Sequence, residues 1–266
     1  MPENETKNPL SKQEIAENLS ESLSPFVGIE YYDSCDSTNR LAKEAEILYP
    51  LEVYVANSQT KGRGRLGRSF YSAEGAGLYM SFLYKPTATA SDALAITRYA
   101  AVKVARAIEA AAGVSCQIKW VNDIYISGKK VCGILTEGVL DTERGVLDRV
   151  VLGIGINVRR TDFPDDISAI ATSIEDEAGV KLNRSQLAAR IIELIYEGLS
   201  ELSSVDIVRE YRERSNLIGR RVTVIRADSS YAAEVLDISD GGALVLRTAG
   251  GEIEELISGE VSVRLI

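Results

Sequence analysis

Apolar and polar residues follow two different spacings along the chain, and the spacing predicts which segments are strands and which are helices. Residues 51–58 and 78–84 are rich in Val, Leu and Tyr at strand spacing, and residues 150–158 resemble a third, buried strand. Two more strands are predicted on either side of the turn Ser127-Gly128. Helices are predicted over 38–48, 92–112, 167–177, 185–202 and 206–214. Together these segments predict an α+β domain.

Capping residues support two of the helices. Ser11 and Glu14 have the spacing of a capping box, which predicts a short helix after a disordered tail of about ten residues. The longest helix, over 92–112, has Ser91 as its cap and Gly113 as its stop.

The pattern changes after Ile218. Residues 221–266 contain short alternating strands, separated by turns at Asp228-Ser229-Ser230, Asp240-Gly241-Gly242 and Gly250-Gly251, which predicts a small all-β barrel. We therefore expect an N-terminal tail with a short helix at 1–26, a main domain at 27–216 and a C-terminal β domain at 217–266.

The composition is that of a globular enzyme. Of the 266 residues, 45% are hydrophobic, and 39 acidic residues against 30 basic ones give a net charge of -9, whereas nucleic-acid binders are more often basic. No segment resembles a signal peptide or approaches the roughly 20 apolar residues of a membrane span. The three scattered cysteines match neither a disulfide framework nor a metal site. We expect a cytoplasmic protein without membrane contact.

The chain contains no histidine. Ser-His and Cys-His nucleophile pairs, histidine bases and histidine-bound metals are therefore excluded. Acid, base and charge-stabilising roles fall to Lys, Arg, Asp, Glu or Tyr, which favours chemistry that needs positioning and anion stabilisation.

A basic, glycine-rich loop follows the first predicted strand, with the sequence Lys61-Gly62-Arg63-Gly64-Arg65-Leu66-Gly67-Arg68. Its glycines allow tight turns and close approach of backbone N–H groups to a ligand, and its arginines suit phosphate or carboxylate. The alternative is a solvated basic loop. The glycine spacing also matches the dinucleotide fingerprint, but residues 68–77 lack the helix which that fingerprint needs. A protein kinase is excluded because its catalytic-loop and Asp-Phe-Gly motifs are missing.

Four further motifs place polar groups or glycines where a ligand can approach. They are Asp36-Ser37-Thr38-Asn39 at a predicted helix start, Lys119-Trp120-Val121-Asn122-Asp123, Lys129-Lys130-Val131-Cys132-Gly133-Ile134-Leu135, and Gly153-Ile154-Gly155-Ile156-Asn157 within an apolar strand. The structural alternatives are, in the same order, a helix cap, a turn, a surface lysine and core packing.

The order of these motifs resembles that of biotin–protein ligases, from about residue 30 to the end of the chain. The resemblance implies a mixed sheet with flanking helices, as in biotin and lipoyl ligase catalytic domains, and a C-terminal SH3-like barrel. It implies activation of biotin with ATP and Mg²⁺ to biotinyl-5'-AMP. The biotinyl group would then pass to a lysine of a biotin carboxyl carrier protein or domain of a biotin-dependent carboxylase or decarboxylase. The resemblance is also compatible with a homodimer.

The same resemblance implies roles for individual residues. The catalytic residues would be Lys130, Arg65 and Arg63. Biotin would contact Ser37, Thr38, Asn39, Gln59, Arg63, Gly64, Arg65, Lys130, Gly133 and Gly155. The nucleotide would contact Arg63, Arg65, Arg68, Phe70, Lys119, Asn122, Asp123 and Asn157, and Asp123 would also hold the metal.

Two residues depart from the family pattern. Val121 stands where proline is common, which alters local rigidity, and Phe70 stands where tryptophan is common. Phenylalanine keeps an aromatic face for adenine but loses the indole N–H, so weaker nucleotide affinity is expected.

Three other functions share some of these features. Lipoate ligases and octanoyltransferases share the general fold but typically use a different glycine-rich loop. Ligand-sensing regulators of the same family carry an N-terminal DNA-binding domain, whereas about 25 residues precede the catalytic region here, so no direct DNA binding is expected. A nucleic-acid-binding barrel is disfavoured because Glu252, Glu254, Glu255 and Glu260 make the end of the chain acidic.

Overall fold

The structure is a computed structural model that describes residues 10–86, 93–141, 144, 146–198, 204–226, 229–257 and 262–265. The predicted tail at 1–9 and the predicted cap at Ser91 lie outside the described residues.

Helices and strands alternate through the first part of the chain, and strands alone make up the last part. The helices are α1 (Lys12–Glu17), α2 (Thr38–Glu44), α3 (Ala93–Ala112), α4 (Asp165–Ser168), α5 (Ile174–Ala178), α6 (Arg184–Glu197) and α7 (Val205–Glu213). The strands are β1 (Val27–Tyr32), β2 (Leu51–Ala56), β3 (Gly77–Tyr84), β4 (Gln117–Lys119), β5 (Asp123–Ile126), β6 (Lys129–Asp141), β7 (Val146–Asn157), β8 (Arg221–Ile225), β9 (Ser230–Ile238), β10 (Leu244–Thr248), β11 (Ile253–Leu256) and β12 (Ser262–Leu265).

The main sheet has seven strands in the order β1-β2-β3-β7-β6-β5-β4. Strands β1 and β2 are parallel and the other neighbours are antiparallel, so the predicted mixed sheet is confirmed. Every residue of β2 and β3 is buried, because apolar side chains point to both faces of these central strands. Helix α3 packs against β6 and α6, and α2 packs across β2, β3 and β7. The start of α2 therefore lies directly above the glycine-containing part of β7.

The C-terminal strands form a separate antiparallel sheet in the order β11-β10-β9-β8-β12, which confirms the predicted small β module. It contacts the main domain behind the Lys119–Asp123 segment. The Trp120 indole donates to the carbonyl of Gly242, at 3.0 Å, and the Tyr211 hydroxyl donates to the carbonyl of Val121, at 2.9 Å. Tyr211 belongs to α7 of the main domain, so the C-terminal sheet holds this segment at Trp120 and α7 holds it at the buried Val121.

Several predicted helix boundaries were wrong. The helix expected over 38–48 ends at Glu44, because Ala45 is already extended and its carbonyl accepts a hydrogen bond from Arg149. The helix expected over 167–177 is two short helices. Residues 170–172 between them pair with Lys130, whose N–H donates to Ile170 at 2.8 Å and whose carbonyl accepts from Thr172 at 3.0 Å.

Other predictions were closer. The Ser11 hydroxyl accepts from the N–H of Glu14, so the cap is confirmed, but the N–H of Ser11 donates to Ser185 and the reciprocal half of the box is not made. Helices α6 and α7 begin one residue before the predicted starts at 185 and 206. Helix α6 ends at Glu197 rather than at 202, and residues 199–203 lie outside the described residues. The strand Val27–Tyr32 was not predicted. No helix among the described residues is long and apolar enough to cross a membrane.

Candidate active site

One cavity on the face of the main sheet gathers almost all the residues singled out in the sequence. It is lined by Ser37, Thr38, Asn39, Gln59, Arg63, Gly64, Arg65, Arg68, Phe70, Lys119, Asn122, Asp123, Lys130, Gly133 and Gly155. Asn157 lies instead in an adjoining cavity, which shares Phe70, Lys119 and Lys130 with the first. Five separate sequence motifs thus converge on one place in the fold.

The start of α2 forms a neutral, polar end of the cavity. Ser37 caps the helix by position, but its hydroxyl makes no capping bond to the helix backbone. The Gln59 side-chain oxygen accepts from the Thr38 backbone N–H at 2.9 Å and lies 3.2 Å from the Thr38 hydroxyl. The Gln59 amide in turn donates to Ser72 at 3.0 Å. This end can therefore exchange hydrogen bonds with an uncharged polar ring.

The basic loop lies over the cavity and is folded by its own backbone. The N–H of Gly64 donates to the carbonyl of Arg68 at 2.7 Å, and the N–H of Phe70 donates to Gly62 at 2.9 Å. Leu66 and Gly67 form its tip in left-handed backbone conformations, with φ of 57° and 71°. No α-helix opens directly after the loop, whose next element is strand β3, so the dinucleotide fingerprint is correctly rejected.

The cationic end of the cavity is built by Lys130 and the loop arginines. The Lys130 ammonium lies 2.7 Å from a carboxylate oxygen of Asp123. Burial lowers the pKa of the Arg65 guanidinium, although the nearby Asp123 carboxylate opposes that shift. Burial makes the charged form of the half-buried Arg65 less favourable, and an anion bound beside it would stabilise that charged form. This end of the cavity therefore favours a carboxylate or a phosphate.

Two glycines on neighbouring strands provide a flat floor beneath the aromatic side chain of the loop. Gly133 and Gly155 face each other in the β6–β7 pair. A Cβ atom built on Gly155 would lie 2.6 Å from the Phe70 ring, and one on Gly133 would lie 3.3 Å from it. The glycines are thus explained by close approach of Phe70 rather than by core packing alone.

Two asparagines predicted to contact the nucleotide also support the site backbone. The Asn122 amide donates to the carbonyl of Ile134 at 2.6 Å, and the Asn157 amide donates to the carbonyl of Thr172 at 3.1 Å. Each amide keeps hydrogen-bonding capacity beyond these bonds.

The aspartate in the cavity suits a magnesium ion that arrives with phosphate groups. Among the described residues that line the main cavity, Asp123 is the one carboxylate, and no described group of three or more Asp, Glu, Cys or His could hold a metal by itself. Mg²⁺ often binds through one or two carboxylates together with substrate phosphates and water. A single aspartate beside a cationic site fits that mode.

Sequence reasoning missed several residues around the cavity. Ser81 is fully buried on β3 and hydrogen-bonds to Thr38 and Asn39, and Glu137 on β6 hydrogen-bonds to Asn39. The one available signal was a serine or glutamate within an apolar strand. The rings of Tyr71 and Phe163 lie against each other on the wall of the adjoining cavity, with their centres 6.0 Å apart. Neither residue belongs to a motif that the sequence analysis identified.

Comparison with known proteins identifies the family. Residues 31–157 match the biotin/lipoate A/B protein ligase family, and residues 217–264 match the biotin protein ligase C terminal domain. The bifunctional ligase/repressor BirA of Bacillus subtilis is 35% identical over 240 residues, which cover 88% of this chain and 73% of that protein. The biotin--[acetyl-CoA-carboxylase] ligase of Mycobacterium tuberculosis is 29% identical over 95% of both chains.

A solved structure shares the fold over nearly its whole length. The biotin protein ligase from Aquifex aeolicus in complex with biotin and ATP superposes with a TM-score of 0.78 at 30% identity, covering 90% of this chain and 99% of that one. Similarity of this extent in sequence and fold, together with the converging motifs, shows that the chain belongs to the biotin protein ligases within the biotin/lipoate A/B protein ligase family.

Proposed function

We propose that the chain activates biotin with ATP to biotinyl-5'-AMP and then transfers the biotinyl group to a lysine of a carrier protein. The observation that carries this function is the polarity of the cavity. A neutral end at Thr38 and Gln59 faces a cationic end at Arg65 and Lys130. Biotin has the same layout, because a neutral cyclic urea lies at one end and a carboxylate at the other.

The first step joins two anions, and the chain supplies the charge that permits it. The biotin carboxylate attacks the α-phosphate of ATP, and pyrophosphate leaves. Lys130, Arg63 and Arg65 line the place where negative charge accumulates, so they stabilise the transition state more than the separated substrates. Asp123 is the residue that would hold Mg²⁺, which neutralises phosphate charge when it is bound.

The second step needs no nucleophile from the enzyme. The amine of the carrier lysine attacks the acyl carbon of the mixed anhydride, AMP leaves, and an amide forms. The chain contains no histidine, and burial raises the pKa of the Cys35 thiol to about 11. A reaction that uses the substrate's own amine is consistent with both facts. The basic loop protects the anhydride from water while the carrier docks.

The carrier is the biotin carboxyl carrier protein or domain of a biotin-dependent carboxylase or decarboxylase. We assign the reaction to the cytoplasm because it consumes ATP and because Cys35, Cys116 and Cys132 are all free thiols in the structure.

Lipoate ligation is the competing function, and the cavity itself argues against it. The dithiolane ring of lipoate cannot donate a hydrogen bond, so it would gain none of the hydrogen bonds that a ring with N–H groups can make to the acceptors around Thr38 and Gln59.

The decisive experiment measures pyrophosphate release from ATP and Mg²⁺ with biotin, with lipoate or with neither. We expect release that requires biotin, followed by a mass gain on an apo carrier domain. Release with lipoate alone would move the chain to the lipoate ligases. If a folded sample releases no pyrophosphate with either acid, ligase function is refuted.

A further inference from the structure

A polar network lies behind the neutral end of the cavity, and three of its members, Lys43, Glu137 and Ser81, have no role in the proposed reaction. It consists of Lys43, Glu137, Asn39, Ser81 and Thr38. The Lys43 ammonium is 2.5 Å from one oxygen of Glu137, and the Asn39 amide nitrogen is 2.8 Å from the other. The Ser81 hydroxyl is 2.6 Å from the Asn39 oxygen and 2.7 Å from the Thr38 hydroxyl. Ser81, Thr38 and Asn39 are all at least 95% buried.

The donors and acceptors in this network can be assigned from Glu137 outwards. A carboxylate only accepts hydrogen bonds, so the NH₂ group of Asn39 must face Glu137 and its oxygen must face Ser81. An amide oxygen also only accepts. The single proton of the Ser81 hydroxyl is therefore committed to Asn39.

This commitment fixes the role of Thr38. Since Ser81 has no second proton, the 2.7 Å contact between the two hydroxyls requires Thr38 to donate to Ser81. The other candidate acceptor for the Thr38 proton is Gln59, at 3.2 Å, which is also part of the protein. With Ser81 as its acceptor, the Thr38 proton points away from the cavity and both lone pairs of Thr38 stay open to a ligand. Thr38 can then only accept a hydrogen bond from a ligand. In a reversed network, Ser81 would donate to Thr38, occupy one of these lone pairs and release the Thr38 proton.

The sheet is shaped to permit the network. Ser81 pairs with Gly153 across β3 and β7, and a Cβ atom on Gly153 would lie 2.1 Å from the Asn39 oxygen. Any side chain at this position would push the Asn39 amide away from Ser81. Gly153 therefore leaves the space that the Asn39–Ser81 bond occupies.

We propose that Glu137 is a positioning residue which, through Asn39 and Ser81, sets Thr38 as a hydrogen-bond acceptor and so selects acids whose head group donates an N–H. The inference rests on the proposed function for the identity of the substrate, since the cyclic urea of biotin carries such N–H groups. It adds a source of selectivity that lies outside the cavity wall, in a residue that need not touch the ligand.

The test compares two variants that break the same ion pair. Glu137→Gln keeps the shape of the side chain but can present either NH₂ or oxygen to Asn39, so the direction of the network is lost. Lys43→Met removes the cation but leaves the acceptor-only carboxylate in place. The readout is the ratio of the KM for a biotin analogue methylated on its urea nitrogens to the KM for biotin itself, from pyrophosphate release by the full chain.

We expect a high ratio in the unmodified chain, a fall of about ten-fold in Glu137→Gln, which corresponds to the loss of one hydrogen bond, and a preserved ratio in Lys43→Met. The KM for ATP should be unchanged in both. Glu234→Gln is the matched control, because it removes an exposed partner of Arg247 in the C-terminal sheet. If Glu137→Gln does not fold, Asn39→Ala should produce the same fall by freeing the Ser81 proton.

Three results would overturn the proposal. The first is a folded Glu137→Gln variant with an unchanged ratio. The second is an equal fall in Lys43→Met, which would make the ion pair rather than the proton direction responsible. The third is an unmodified chain that turns over biotin without discriminating against the methylated analogue. If the unmodified chain does not turn over biotin at all, the proposed function fails as well, so the two failures are distinguishable.

Discussion

Lys130 is paired with an acidic side chain in the structure, and the proposed reaction would bring a second anion to it. Its ammonium is paired with Asp123 at 2.7 Å and lies 6.0 Å from the centre of the Phe70 ring. An incoming carboxylate or phosphate competes for the same cation, while Mg²⁺ would compete for Asp123. The resting ion pair therefore keeps both groups in place at the cationic end of the cavity.

Lys130→Met should leave the fold intact and reduce biotin-dependent pyrophosphate release by about 10²–10³-fold, as expected for the loss of one preorganised charge at a developing anion. Lys129→Met is the control, because Lys129 is exposed and precedes Lys130 in the same strand. Near-normal release in Lys130→Met, or an equal loss in the control, would contradict the assignment.

The residues that sequence reasoning found are those with local chemical signatures. Cations interleaved with glycines, and polar residues at a helix start, can be seen in one stretch of sequence. Ser81 and Glu137 cannot be found in this way, because their importance arises from the register of β3 on β7 and from α2 crossing both strands. In the sequence, such a network shows only as a single polar residue within an apolar strand.

At the scale of elements, long periodic segments were predicted well and short ones were not. Helix α3 ends at Ala112, as its Gly113 stop predicted, since Gly113 has a φ of 69°. The interruption between α4 and α5 was invisible because it depends on backbone pairing with Lys130, which is distant in sequence. Strand β1 was missed because it lies at the sheet edge and contains polar and apolar residues without a clear period.

The loop from Lys61 to Arg68 acts as one element, and Arg65 is its most buried cation toward the site. Arg65→Ala should allow biotinyl-5'-AMP to escape, because the cation that holds the closed loop against the anionic product is lost. We expect free adenylate to accumulate in solution, in the absence of carrier, at least about ten-fold faster than with the unmodified chain.

The matched control for this loop prediction is Lys61→Ala, since Lys61 is an exposed cation at the start of the same loop. It should retain the adenylate. If Arg65→Ala retains biotinyl-5'-AMP and transfers biotin to the carrier as the unmodified chain does, the protective role of the loop is refuted.

At the scale of the whole molecule, an ion network holds α7 against α3 and the β4 end of the main sheet. Arg214 makes two bonds to the carboxylate of Glu109, at 2.6 and 2.8 Å, and also pairs with Glu210. Arg106 on α3 pairs with the same Glu210, at 3.0 Å for one contact. These residues lie far from the cavity, so they affect stability rather than the reaction.

The network predicts that the protein loses stability in acid. Burial raises the pKa of Glu109 and Glu210, but hydrogen bonds from Arg214 to Glu109, and from Arg106 and Arg214 to Glu210, outweigh it and hold both pKa values below the ordinary 4.5. A carboxyl whose pKa is lower in the folded state stabilises the fold above its unfolded pKa. That contribution disappears as the pH falls through the folded pKa.

Glu109→Gln should therefore lower the Tm at pH 7 by about 2–4 °C, equivalent to ~1 kcal/mol after allowance for solvent screening, and by progressively less as the pH falls below 4.5. Thermal unfolding of both proteins across this pH range provides the measurement. Glu213→Gln on the same helix is the control, because Glu213 is exposed and its closest cation is 4.0 Å away. If the Tm difference stays constant with pH, the lost contact is one of packing rather than of charge. If Glu213→Gln lowers the Tm by a similar amount, any charge on α7 has the same effect and the Glu109 network is not responsible.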